Sequence, residues 1–186
     1  ESGTGDYEPD GQGCGASDYP GLEEEYMKKY DKVLFVSHSD TSRGPMAEAI
    51  LQNKMLLEDI LVDSKGMIVL FPEPVNPKAK EILSQHKLEL PDHEAVAFSA
   101  DDFDERTLIL TMEQAQKQKI QEEYEDRVKN LYTISEYSQT EEGDIYDPHG
   151  KALEEYGHCF DVLELIISKL TEVLLQEDEE HDSSSM

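Results

Sequence analysis

Between residues 30 and 175, apolar runs of strand length alternate with segments of helical periodicity. "KVLFVS" (32–37) has the length and content of a buried strand, and "GPMAEAILQNKML" (44–56) follows it as a helix. Pro45 falls in the first turn, where its missing N–H costs nothing, and Met46, Ala49, Ile50 and Met55 supply a buried stripe. "ILVDSKGMIVLF" (60–71) is expected as a second strand broken at Gly66, and "NPKAKEILSQHKL" (76–88) as the helix after it. "RTLILTM" (106–112) is a third strand, with "EQAQKQKIQEEY" (113–124) as its helix. "RVKNLYTI" (127–134) is a fourth strand, and the loop "GDIYDPHG" (143–150) leads to a long helix over 151–175. In that helix Leu153, Tyr156, Phe160, Leu163, Ile167, Leu170 and Leu174 recur at spacings of three and four, one core face. Such alternation predicts an α/β domain: an open sheet of about four parallel strands, in three layers, with helices on both faces. Ligands of such sheets bind at the carboxyl ends of the strands.

The rest of the 186 residues frames this domain. Residues 1–29 carry eight acidic and two basic side chains with almost no aliphatic content, and are expected to be a disordered acidic extension, with a short helical lead-in over 22–30. Residues 176–186 carry five acidic and no basic residues and are expected to be a disordered, solvated tail. The net charge of −27 leaves −16 on residues 30–175 after both tails are set aside. That field repels nucleic acid and anionic lipid, so neither is expected as a partner. It opposes phosphorylated ligands at long range too, so a phosphate site here has to be strong locally. Cys14 and Cys159 have no metal spacing and form no disulfide framework. A reducing, cytoplasmic setting is expected, with no metal and no cofactor; no apolar run approaches membrane-spanning length. The sequence is silent on oligomeric state.

The segment joining the first strand to its helix, "SHSDTSR" (37–43), carries the chemistry. Amides of a tight loop that feeds a helix N-terminus converge on an anion. Arg43, one of three arginines in the chain, stands where loop becomes helix and offers a planar two-pronged contact to phosphate. By itself this pattern fits an ordinary helix start with an exposed arginine equally well.

"VLFV-x6-R-x-PMAEA" resembles the opening of the low-molecular-weight protein tyrosine phosphatases, the family that also includes thioredoxin-coupled arsenate reductases. "VDSKG" (62–66), "NPKAKEILSQHKL" and "YDPHG" (146–150) are similar to later family segments in the same order, so the resemblance covers about residues 31–175. It implies the family fold. It also implies a nucleophile at position 37, phosphate binding by His38, Ser39, Asp40, Thr41, Ser42 and Arg43, a general acid at Asp147, and loop support from Ser64 and Gly44. The partner so implied is phosphate or a phosphorylated protein or small molecule.

The pattern departs from the family at the loop itself. The family's nucleophile is Cys, and here it is Ser37; Ser39 replaces Gly, Asp40 replaces Asn, Ser42 replaces the second Cys, and Gly44 replaces a supporting Ser. A serine hydroxyl needs a neighbouring base, which a thiolate does not. His38 and His149 are candidates, although exposed loop positions suit both. Asp40 tolerates left-handed backbone much as Asn does, and Ser64 is placed to hold it by a hydrogen bond, but its charge opposes a bound anion. Ser39 is strained if the loop needs positive φ there. Cys159 lies among apolar helix residues and is expected in the core, so arsenate reduction, which needs working thiols, is set aside. Thr41 is shared with some relatives that dephosphorylate arginine. Aromatic residues usually follow Asp-Pro where a phosphotyrosine ring is recognised; here His149 follows and Tyr146 precedes. The leading expectation is a homologue weakened or inactive in catalysis that retains a phosphate or phosphoprotein site. Two alternatives stay open: an active phosphatase of phosphotyrosine or phosphoarginine using Ser37 with Asp147 as acid, and an interaction protein with no anion site.

Overall fold

The computed structural model describes residues 28–55, 58–90 and 92–184. Most of the N-terminal extension, its lead-in helix up to residue 27, Cys14, and the last two residues of the tail lie outside these.

Four strands, β1 (Lys32–Ser37), β2 (Leu61–Gly66), β3 (Thr107–Thr111) and β4 (Leu131–Thr133), form one sheet in the order β2-β1-β3-β4. All three pairings are parallel. The helices are α1 (Arg43–Lys54), α2 (Pro77–Gln85), α3 (Gln114–Tyr124), the single turn α4 (Ile134–Tyr137) and α5 (Leu153–Ser184). Successive strand residues face opposite sides. Val33 and Phe35 of β1, with Leu108 and Leu110 of β3, join Met46, Ile50, Leu51, Phe160 and Leu163 in the larger core. Leu34, Val36 and Ile109 point the other way, onto Ile120, Phe98 and Leu131. Both faces of the two central strands are therefore buried, which is why they read as unbroken apolar runs. Leu163 is fully buried in the larger core. Leu163→Ala should cost about 3 kcal/mol of stability, read as a lower urea midpoint with the slope unchanged.

Several expectations need correction. The second strand stops at Gly66; the apolar "MIVLF" after it is not a strand, and Leu70 stays 88% exposed. It lies outside the sheet because its amides turn to the end of β1 and the loop after it: Met67 donates to the carbonyl of Ser37 (2.8 Å) and Ile68 to that of His38 (3.0 Å). The fourth strand is only three residues long, because a 3-10 turn at Glu125–Arg127 precedes it and α4 begins at Ile134. Leu153, expected in the core, sits at the solvent-facing start of α5 at 37% exposure. The final helix runs to Ser184 rather than ending at 175. Its extra turns are tethered: Asp178 accepts the Lys29 amide (3.1 Å), and Glu177 accepts the Tyr137 hydroxyl and pairs with Lys29 Nζ (3.5 Å).

Candidate functional site

β1 delivers the 38–42 loop to the carboxyl edge of the sheet, and α1 begins at Arg43. The loop is pinned from several sides. The Asp40 N–H donates to Ser37 Oγ (3.2 Å), the Asn76 N–H ahead of α2 donates to the Thr41 carbonyl (2.8 Å), and the Thr41 and Ser39 hydroxyls bond each other (2.8 Å). Gly66 lets the neighbouring strand approach. A Cβ there would meet the Ser39 carbonyl carbon at 3.0 Å and Val69 at 2.7 Å. Asp40 is the loop residue with positive φ, at 59°. The strain expected at Ser39 is absent, because the left-handed position is Asp40, a residue type that tolerates it. Among the described residues, the amides of Ser39, Thr41, Ser42 and Arg43 donate to no other protein group. Such a cluster of free donors at a helix start is what an anion requires.

Arg43 is 2% exposed, and its guanidinium is fixed by acceptors from two other loops. Nη1 donates to Glu113 Oε2 (2.8 Å), just after β3, and to the Ile145 carbonyl (2.8 Å); Nη2 reaches Asp147 Oδ2 at 3.4 Å. Glu113 is itself held by Gln116 Nε2 (2.9 Å). The Asp147 loop is anchored by the Ile145 N–H on the Met112 carbonyl (3.0 Å) and by the Gln114 N–H on Asp144 (2.8 Å). The Nε–H side of the guanidinium has no partner among the described residues, leaving one edge for a bidentate contact.

Ser37 is buried, and Asp40 N–H is its side-chain contact; neither His38 nor His149 bonds it. Both histidines are exposed, and the His149 amide donates to Asp147 Oδ1 (3.1 Å). Neither is placed as a base. Gly44 packs closely: a Cβ would meet Ser37 Oγ and Asp40 Oδ1 at 3.0 Å each. Ser42 Oγ is buried without a partner. Cys159 is in the core, and burial pushes its thiol up to about 12, so it is inert as a nucleophile. Among the described residues no group of three metal-binding side chains assembles, and no helix is long and apolar enough to cross a membrane.

Behind the loop lies a buried polar cluster that sequence reading missed. The Asp40 carboxylate turns to the Val96 amide (Oδ2, 3.2 Å), and His93 Nε2 bonds the Asp40 carbonyl (2.9 Å). His93 Nδ1 faces Glu48 Oε2 of α1 at 3.6 Å. The Ser64 hydroxyl donates to Glu48 Oε2 (3.1 Å), and beside Asp40 it also draws that carboxyl down, as expected. Burial pushes Glu48 up to about 7, with His93 and Ser64 drawing it down. The folded state thus keeps the Glu48 proton longer than the unfolded chain does. This contribution to stability is full below the ordinary value of 4.5 and is lost as pH rises towards about 7. Glu48→Gln should therefore gain on the parent by an amount on the order of 2 kcal/mol between about pH 5 and about pH 8, seen in denaturation midpoints.

The family model for low molecular weight phosphotyrosine protein phosphatase matches residues 32–180. The chain is 36% identical over 139 residues to the low molecular weight protein-tyrosine-phosphatase PtpB of Staphylococcus haemolyticus, covering 75% of this chain and 96% of that one. Its fold superposes on the YwlE arginine phosphatase of Geobacillus stearothermophilus with a TM-score of 0.74 at 31% identity, covering 81% and 96%. A solved YwlE mutant with a phosphorylated active-site serine matches with a TM-score of 0.71 at 28% identity, covering 81% and 99%. With its parallel sheet, the Arg43-bearing loop at the end of β1 and these relatives, the chain belongs to the low molecular weight protein tyrosine phosphatase family.

Proposed function

We propose that this chain binds the phosphoryl group of a phosphorylated protein in the 38–43 loop, and that it hydrolyses phosphate esters weakly because Ser37 stands in the nucleophile's place. The observation that carries this reading is Arg43. It is buried, oriented by Glu113, Asp147 and the Ile145 carbonyl, and has one donor edge left over. An arginine serving only as a helix start would not be buried and oriented by groups from two distant loops. The Asp40 carboxylate supports it as well, since it turns behind the loop towards Val96 and His93 instead of filling the anion position. Weak turnover follows from chemistry: Ser37 has no base in contact, and Gly44 supplies no hydroxyl to support it.

A second reading, slow catalysis through Ser37, is favoured by one specific observation. The YwlE mutant above carries its phosphoryl group on a serine. In this chain Ser37 Oγ would attack phosphorus and pass its proton to a phosphoryl oxygen, while the bond from phosphorus to the leaving oxygen or nitrogen breaks and Asp147 protonates the leaving atom. The leaving group is the phenol of phosphotyrosine or the guanidine of phosphoarginine; Thr41 and the arginine-phosphatase relatives favour the latter. The test is intact-mass analysis after incubation with an aryl phosphate and with a phosphoarginine peptide. Binding without chemistry leaves the mass unchanged. One added phosphoryl group, lost in Ser37→Ala, would establish the second reading.

A further inference from the structure

We propose that protonation of the two buried carboxyl groups behind the loop, Asp40 and Glu48, sets how tightly the loop takes an anion. The inference rests on the phosphate-site reading above and adds its regulation.

The hydrogen-bond pattern fixes part of the protonation. A carbonyl oxygen only accepts, so the contact between His93 Nε2 and the Asp40 carbonyl at 2.9 Å requires the proton on Nε2. Nδ1 then faces Glu48 Oε2 at 3.6 Å. The Ser64 hydroxyl already donates to that same Glu48 oxygen. Asp40 is held by its backbone at both ends, its N–H on Ser37 Oγ and its carbonyl on His93. This grip keeps Asp40 in the left-handed conformation from which the next amides are aimed.

Asp40 itself is 0% exposed, and its Oδ1 has no hydrogen-bond partner. A buried carboxylate with an empty oxygen favours its protonated form, and burial does push Asp40 up to about 6. The groups around the cluster are Glu48 from α1, Asp63 and Ser64 from β2, and His93 with the Val96 amide from the segment before β3. Asp63 is partly offset by Lys32 at 3.8 Å, and among the described residues no lysine or arginine pairs with Asp40 or Glu48. Two buried carboxyl groups thus face one imidazole, with Asp63 adding like charge from β2. An anion entering the loop adds like charge in a poorly screened space, and the cluster answers by taking up a proton. Anion affinity is therefore highest in acid and falls as pH rises through the range from about 6 to about 7 in which Asp40 and Glu48 ionise.

Sulfate is the suitable probe, because its own charge is constant over this range. Calorimetry from about pH 5.5 to about pH 8, in two buffers of different ionisation heat, is expected to show affinity falling roughly tenfold and proton uptake on binding near neutrality. Asp40→Asn, isosteric and uncharged, should remove most of the uptake and bind tighter at the alkaline end; Glu48→Gln should remove part of both. The background titration of the acidic surface is common to all three proteins, so the difference in slope isolates the cluster. Equal slopes in parent and Asp40→Asn, with no proton uptake, would overturn the inference and leave the phosphate site standing. No sulfate bound by any of the three at any pH would overturn the phosphate site itself, and the inference with it.

Discussion

Ser37→Cys should hydrolyse an aryl phosphate at least about 10³-fold faster than the parent, the scale on which a nucleophile's presence is read in kinetics. The thiol would sit where free loop amides and the buried Arg43 guanidinium stabilise a thiolate, which attacks phosphorus without a separate base. Serine in the same place keeps its proton, because its contact is a donor, the Asp40 N–H. Asp147, the acid under this proposal, already lies beside Arg43. The pH profile of the variant should follow the thiolate, and Asp147→Asn in that background should lower turnover by roughly 10² or more. A variant that binds phosphate but stays inert would move the explanation to Gly44. The pair Ser37→Cys and Gly44→Ser then becomes the informative protein, although the serine Cβ meets Asp40 and Ser37 at 3.0 Å and needs neighbours to yield.

The second large effect is expected at Arg43. Arg43→Lys keeps the charge and loses the planar fork, so the leftover edge that would grip two phosphate oxygens disappears. Phosphate affinity should fall about 100-fold, the equivalent of one charge-assisted contact of roughly 3 kcal/mol. Stability should fall less, because an ammonium can still lie between Glu113 and Asp147, both of which keep about a third of their side-chain surface in solvent. Arg43→Ala adds the cost of a cavity and of two unpaired carboxylates. A lysine variant with unchanged phosphate affinity would show that the guanidinium is structural only.

The fold was legible because its signals are local. β1 and β3 read as unbroken apolar runs since both of their faces are covered, and α5 announced its core face through Tyr156, Phe160 and Leu163. "MIVLF" was misread for the same reason: an apolar run says nothing of whether its amides pair with a strand or with the loop. At the site, Arg43 and Asp147 were visible and lie together, 104 positions apart in sequence. Glu113, Glu48 and His93 were not. Glu113 carried a usable signal, since it follows β3 at the same sheet edge as the 38–42 loop. Glu48 sits in a helix whose other neighbours are apolar, and a lone glutamate there looks solvent-exposed. His93 meets Asp40 across 53 positions of chain, a contact that no local pattern encodes. The same limit hid the direction of the Asp40 carboxylate, and with it the answer to whether that residue blocks the loop.

Whether the loop takes a phosphoryl group is decided by titration calorimetry with inorganic phosphate, on the parent chain and on Arg43→Lys. One site per chain is expected in the parent, weakened about 100-fold in the variant. No heat of binding in the parent, or a heat that Arg43→Lys leaves unchanged, would contradict it.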